Sequence, residues 1–384
     1  MTDMVKLDEL IQPVKSARAG DSEYPLLSMT MHNGLVDQFD KFNKRVASQD
    51  TSAYKVIERG QLVVGFPIDE GVLDFQTMYD EAIVSPAYGV WELSGKYEVS
   101  REYLGAYLRS NRAIAYYKAK LRGSTARRRS LPNSTFVALP IYLPSLDEQR
   151  RIVEILDRAD AIRAKRRRML ADFDELKDSM FTEMFGGIQD HTSLGDLIVD
   201  GPTNGLYRSQ SDYGSGTCIL RIDGFYDGVV IPQKWKRVDI PNSEVQRYEL
   251  REDDIVINRV NSLQYLGKSA IIPALQEPAV YESNMMRFRV DTAETLPLYV
   301  VSWLQTEDAR IQIVGCAKQA VNQSSINQKD VTSFRIPLPP LPLQREFARR
   351  VEAIVAARAK VERALALDDE LFASLQSRAF RGEL

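Results

Sequence analysis

The chain repeats itself. Leu143-Pro144-Ser145-Leu146-Asp147-Glu148-Gln149-Arg150 opens a segment that closes at Phe185-Gly186-Gly187. At an offset of 195 residues, Leu338-Pro339-Pro340-Leu341-Pro342-Leu343-Gln344-Arg345 opens another that closes at Phe380-Arg381-Gly382. The 45 residues from Leu143 to Gly187 align with the second copy without a gap, and 18 are identical. Asp174-Glu175-Leu176 recurs as Asp369-Glu370-Leu371, and Ser179 as Ser374. Two copies of a globular segment followed by a helix imply a pseudo-dimer in one chain. At 384 residues there is room for two ordinary cores.

Residues 1–142 mix short β-type runs (Leu62-Val63-Val64, Val90-Trp91-Glu92-Leu93) with Gly and Pro punctuation, and a helix is predicted over Glu102–Leu121. Residues 189–337 repeat that order. Ile219-Leu220-Arg221-Ile222 echoes Leu26-Leu27-Ser28-Met29, and Asp254-Ile255-Val256-Ile257-Asn258 echoes Gln61-Leu62-Val63-Val64-Gly65. The segments 143–188 and 338–384 read as coiled-coil strands of roughly 38 residues, about 57 Å each. Ile152, Ile155, Ala159, Ile162, Met169, Phe173, Leu176 and Met180 follow alternating three- and four-residue steps, with Arg166 the polar intruder. The second offers Phe347, Val351, Ile354, Ala357, Val361, Ala364, Leu371 and Leu375, with Asp368 as its intruder. Connectivity favours antiparallel pairing, because the second domain starts where the first helix ends and finishes where the second begins. If the pseudo-two-fold axis falls between positions 169 and 170, Arg166 faces Asp368 and Phe173 faces Val361. The expected fold class is α+β: two homologous mixed α/β domains separated by two long antiparallel coiled-coil helices, pseudo-two-fold symmetric. The alternative is that each helix packs on its own domain.

Composition restricts function less than it first suggests. The formal net charge is −3, yet residues 1–100 carry 9 Lys/Arg against 16 Asp/Glu, while residues 101–135 carry 9 against 1. Phosphate binding needs a local positive surface rather than a positive total. Cys218 and Cys316 are lone cysteines, and His32 and His191 lie far apart, so no metal-ligand spacing is present. The start, Met1-Thr2-Asp3-Met4-Val5-Lys6, has no apolar core and no stretch reaches membrane-spanning length. A reduced, cytoplasmic, metal-free protein is expected, with no membrane association.

Direct repeats of variable domain plus long helix, with Leu-Pro-x-Leu-x-x-Gln-Arg openings, resemble the specificity subunit of Type I restriction–modification enzymes. The resemblance covers essentially the whole chain and is most specific at Leu143–Arg150, Ile336–Leu341 and Ala379-Phe380-Arg381-Gly382-Glu383-Leu384. Pro342-Leu343, where the first copy has Asp147-Glu148, departs from the family pattern. The resemblance implies two target-recognition domains (1–142 and 189–337), each reading half of a bipartite site in double-stranded DNA. It implies that helices 143–188 and 338–384 form a spacer docking two methyltransferase subunits, with Gln149 and Gln344 at that interface; Phe185 and Phe380 are expected to pack at the helix ends, and the resemblance allows them at the interface too. Restriction (translocase and nuclease) subunits are further partners. No cofactor is expected in this chain; S-adenosylmethionine belongs to the methyltransferase, which flips an adenine.

Candidate DNA contacts follow from residue chemistry. Arg127-Arg128-Arg129, in a loop after the first-domain helix, suit phosphate clamping or a guanine edge. The matching stretch of the second domain carries Gln319, Asn322 and Gln323, amides that pair with adenine. Asn204, Tyr207 and Arg208, and Asn258, Arg259 and Asn261, fall in its other polar loops, although Asn-Gly is also a plain turn signal. The run Arg163-Ala164-Lys165-Arg166-Arg167-Arg168 is either a solvated face or a contact for DNA or an acidic partner.

An enzyme acting alone is the rival class. A methyltransferase needs a Gly-rich cofactor loop and an Asn/Asp-Pro-Pro-Tyr/Phe turn, and neither is found. A metal nuclease needs clustered carboxylates with a lysine, and Glu175-Leu176-Lys177 sits inside a helix. The chain therefore reads as non-catalytic. A methylation-only or other phage-defence complex, and a scaffold without DNA reading, remain open alternatives.

Overall fold

The computed structural model describes residues 3–31, 34–38, 50–121, 131–226, 228–320 and 323–384, and of Asp174 the backbone only. Among these residues no helix is long and apolar enough to cross a membrane. The chain forms two compact units, residues 1–168 with 362–384, and residues 169–361. Each unit therefore contains one globular domain and a part of each long helix, Leu146–Phe185 and Leu341–Ala379.

The two domains share a strand plan. The first holds an antiparallel sheet in the order 11–13, 89–93, 62–64, 73–75. The second holds one in the order 198–204, 285–290, 255–258, 269–271, with the same sense throughout. Apolar runs make the central strands: Leu62 and Val63 in one, Ile255, Val256 and Ile257 in the other, are fully buried. The weaker sequence echoes also hold. Leu26 bridges Ile83 in parallel in the first domain, and Ile219 pairs with Val280 in parallel in the second. A two-stranded ladder closes each domain where the chain enters and leaves it, 3–6 with 140–143 and 191–193 with 335–337.

Two short helices pack in each domain, Arg101–Leu108 and Asn111–Lys120 in the first, Pro297–Leu304 and Glu307–Cys316 in the second. The single helix predicted over Glu102–Leu121 is thus broken. Buried Ser110 accepts the Ala113 N–H at 3.2 Å, and Thr306 accepts that of Ala309 at 3.3 Å. A hydroxyl so placed starts a new helix rather than continuing the old one.

The repeated Leu-Pro-x-Leu-x-x-Gln opening has a structural use. Gln149 is fully buried; its Oε1 accepts the Ser100 N–H at 2.8 Å, and its Nε2 donates to the carbonyls of Glu98 (3.1 Å) and Pro144 (2.9 Å). Gln344, equally buried, accepts from Leu296 N–H (2.8 Å) and Thr295 Oγ1 (3.1 Å) and donates to Glu294 (3.2 Å) and Pro339 (2.9 Å). Each glutamine ties the start of a long helix to the residue that precedes the first short helix. Tyr103 donates to the Tyr142 carbonyl (2.6 Å) and Tyr299 to that of Pro337 (2.7 Å). Burial pushes both phenols far above their usual range, so both remain hydrogen-bond donors.

The far end of the other helix completes each unit. Phe380 packs on Tyr103 and Tyr107 at ring-centroid distances of 5.7 and 4.7 Å. Its counterpart Phe185 packs on Tyr299 and Phe347 at 4.9 and 5.2 Å. Within each unit the two helix segments consequently run antiparallel. In the first unit Arg166 pairs with Asp368, as the sequence register requires, and Arg163 pairs with Asp369 at 2.6 Å.

The seam differs from the sequence reading in phase. Ile152, Ala159, Phe173 and Met180 are covered, but Ile162, Met169, Leu176 and Leu371 are exposed, and the intervening positions fall to Leu156, Arg163, Leu170, Lys177 and Phe372. Long cationic side chains cover apolar surface with their stems while their heads find polar partners. The Arg163 guanidinium lies 4.3 Å from the Phe372 ring centroid, and Lys177 donates to Gln305 at 2.6 Å. The basic run on the first helix is accordingly neutralised in part within the chain, since Arg167 also meets Asp369, at 3.2 Å.

Two measurements check these contacts. Gln344→Ala leaves buried donors and acceptors without partners and should cost about 2–4 kcal/mol in urea unfolding; a cost below about 0.5 kcal/mol would contradict the clasp. A double-mutant cycle on Arg166 and Asp368 should return a coupling of about 1–2 kcal/mol that weakens with salt, and zero coupling would exclude the pair.

Candidate nucleic-acid interface

The second unit gathers three polar segments that are far apart in sequence. The backbone at Leu206 bonds to Tyr281 and Ser283 (2.8 and 2.9 Å), and Arg259 N–H donates to the Asn284 carbonyl at 2.8 Å. Val260-Asn261 then pairs with Ser324-Ser325, and 323–325 pairs with 318–320. The segments around 204–208, 258–262, 318–320 and 323–325 are thereby one connected surface region.

Within it the candidate residues separate. Asn204 and Tyr207 are exposed, Tyr207 at 77% of its area. The Asn204-Gly205 pair has a packing cause as well, because a Cβ on Gly205 would lie 2.3 Å from the Glu282 carbonyl oxygen. Gln319 and Gln323 are exposed on the two strands of a β-ribbon. Asn261 is half-buried, and its Oδ1 accepts the Ser262 N–H at 2.8 Å. Arg208 is held by an ion pair with Glu244 and by the Tyr207 carbonyl at 3.1 Å.

Other candidates are corrected. Asn258 is fully buried at the end of the central strand Ile255–Asn258 and offers nothing to a duplex. Among the described residues its side-chain amide has no hydrogen-bond partner there. Arg259 is turned inward: it donates to the Ser283 carbonyl at 3.0 Å, and its Nε is buried. Gln149, Gln344, Phe185 and Phe380, expected at a methyltransferase interface, are each 0–1% exposed and are used inside their own units. Their identity between copies reflects shared packing. Arg127, Arg128, Arg129 and Asn322 lie outside the described residues. Of the other cations in that positive segment, Arg109 pairs with Asp74 at 3.1 Å and Arg101 donates to the Gly60 carbonyl at 3.2 Å.

One cluster escaped sequence reasoning. Lys268 Nζ lies 3.8 Å from the Tyr226 ring centroid and 4.7 Å from that of Phe225, and Lys234 Nζ lies 4.9 Å from Tyr226. With Tyr265, Gln305 and Arg310, residues Tyr226 and Lys268 line a cleft of about 450 Å³. These residues are too far apart in the chain for any local window to join them. Cations over aromatic rings are common in nucleic-acid contacts, but here Lys268 also donates to the Ile222 carbonyl (2.6 Å) and Arg310 to that of Leu266 (3.0 Å).

Comparison with known proteins places this geometry. The E. coli K12 Type I restriction enzyme EcoKI specificity subunit is 29% identical over 274 residues, 65% of this chain and 59% of that protein. The StySPI specificity subunit of Salmonella potsdam is 26% identical over 310 residues, 74% of this chain and 66% of that protein. The chain therefore matches under two thirds of the length of these curated relatives. A chain from a structural study of assembly and conformational transition of the type I R-M system matches at a TM-score of 0.63 and 18% identity, over 100% of this chain and 98% of that one. It shares the fold. Residues 3–170 and 225–365 match the Type I restriction modification DNA specificity domain, and the chain belongs to that family.

Proposed function

We propose that this chain is the non-catalytic DNA sequence-recognition subunit of a Type I restriction–modification complex, each domain reading one half of a bipartite site. What supports the reading is one scaffold built twice with different exteriors. The clasp, the sheet order and the aromatic seat recur in both units, while the polar stretches that match in sequence differ, Arg127-Arg128-Arg129 in one and Gln319, Asn322 and Gln323 in the other. Two readers of unlike half-sites need this combination: the same support, different side chains at the base edges.

The chemistry is assigned to partners. A methyltransferase subunit carries S-adenosylmethionine, and a restriction subunit carries translocation and cleavage. Two methyltransferase subunits are favoured by a repeated surface point. Leu176 in the second unit and Leu371 in the first occupy corresponding positions and are 50% and 54% exposed. One exposed leucine per repeat, in identical Asp-Glu-Leu sequence settings, gives one partner two equivalent points of contact.

Co-expression with the methyltransferase in a methylation-free host should yield methylated adenines in a single split motif. Exchanging one domain should change one half only; methylation without a split motif would refute the reading. Leu176→Arg and Leu371→Arg should each remove one methyltransferase subunit from the complex in native mass spectrometry. Retention of both would rule out docking at these positions.

A further inference from the structure

The ribbon of residues 318–320 and 323–325 holds side chains suited to base edges in a fixed ladder. Its base is secured: Ile326 N–H donates to the Arg259 carbonyl at 2.9 Å, and Ile326 itself is buried. The register pairs Lys318 with Ser325, Gln319 with Ser324 and Ala320 with Gln323. Directly opposed residues share a face of an antiparallel ladder and neighbours alternate. Gln319, Ser324 and the adjoining Asn261 therefore lie on one face, and Lys318, Ala320, Gln323 and Ser325 on the other. Ser324 is buried at the middle of the first of these faces. On the other, Lys318, Ala320 and Gln323 are all exposed. The two glutamines, grouped together by composition, therefore lie on opposite faces of the ribbon.

We propose, resting on the DNA-reading role above, that the Lys318/Ala320/Gln323 face enters the major groove. The cross-strand pair Ala320 and Gln323 reads one A·T pair in the half-site of the second domain, and Lys318 holds a flanking phosphate. A two-stranded ribbon fits the major groove, where an amide matches adenine N6 and N7 and an alanine methyl meets the thymine methyl. On one base pair those two features share the major-groove edge, with thymine O4 between them, and a cross-strand pair such as Ala320 and Gln323 presents both side chains to one such edge. A G·C pair presents an acceptor in place of the adenine N6 donor and has no methyl, so both contacts disfavour it. Lys318, in the ladder pair farthest from Ala320 and Gln323, supplies charge to the backbone, which is sequence-independent.

The test is methylation mapping of the intact complex with its methyltransferase, wild type first. Gln323→Ala should relax one A·T position in one half of the motif, with preference there falling about tenfold, while the other half is unchanged. Gln323→Arg should move that position toward guanine. Lys318→Ala should keep the motif and lower the salt slope of DNA binding by about 1. An unchanged motif in Gln323→Ala would overturn the assignment. So would relaxation at a G·C position, relaxation in the half governed by the first domain, or loss of all methylation from assembled Gln323→Ala and Gln323→Arg complexes. A wild-type complex with no split motif would instead remove the DNA-reading role itself.

Discussion

A buried glutamine sets where each long helix begins. Gln149 and Gln344 place a neutral, two-ended hydrogen-bonding group where three strands of backbone meet, and every one of its bonds goes to main chain or to a neighbouring hydroxyl. A charged residue there would carry a large desolvation cost, and an apolar one would strand the carbonyls and N–H groups around it. Because the clasp fixes the helix start against the short helices, the heptad phase is fixed too. Ile152 and Phe347 fall inward at corresponding places, and each later seam position follows at three- and four-residue steps.

Much of this was legible in the repeat, but identity between copies does not say what is shared. Gln149 and Gln344 stood out in sequence, and a common partner was one explanation; a common internal bond is the one the structure supports. The antiparallel sense followed from connectivity, which concerns backbone order; the pairing of Arg166 with Asp368 followed once the pseudo-two-fold axis was set between positions 169 and 170. The seam phase did not follow, because hydropathy prefers Ile162 to its neighbour Arg163. What decides between them is the Phe372 ring beneath the Arg163 guanidinium, a contact across 209 positions of chain. Asn258 failed for a related reason. The string Asn-Arg-Val-Asn-Ser looks like a loop, yet its first residue ends a strand buried on both faces.

The division between scaffold and surface runs through the second domain in the same way. Arg259 and Asn258 look like readers and serve the structure, while Arg208 is half-buried and paired with Glu244. Tyr207, Gln319 and Gln323 are left uncovered by it. Holding candidate reading side chains on a laddered ribbon rather than on free loops limits the entropy lost on binding, while the sequence of the ribbon can change without disturbing the clasp beneath.

The interleaving of the helices also orders events during synthesis. Residues 169–361 are contiguous, so the second unit has all its parts once they have left the ribosome. The first unit has to wait for Phe380 to cover Tyr103 and Tyr107. At about 5–20 residues per second that delay is roughly 10–40 s after residue 168 is made. The domain translated first is the one finished last. Through that interval the nascent chain carries an uncovered aromatic seat, a stage at which chaperones or a partner helix have access that the completed protein denies.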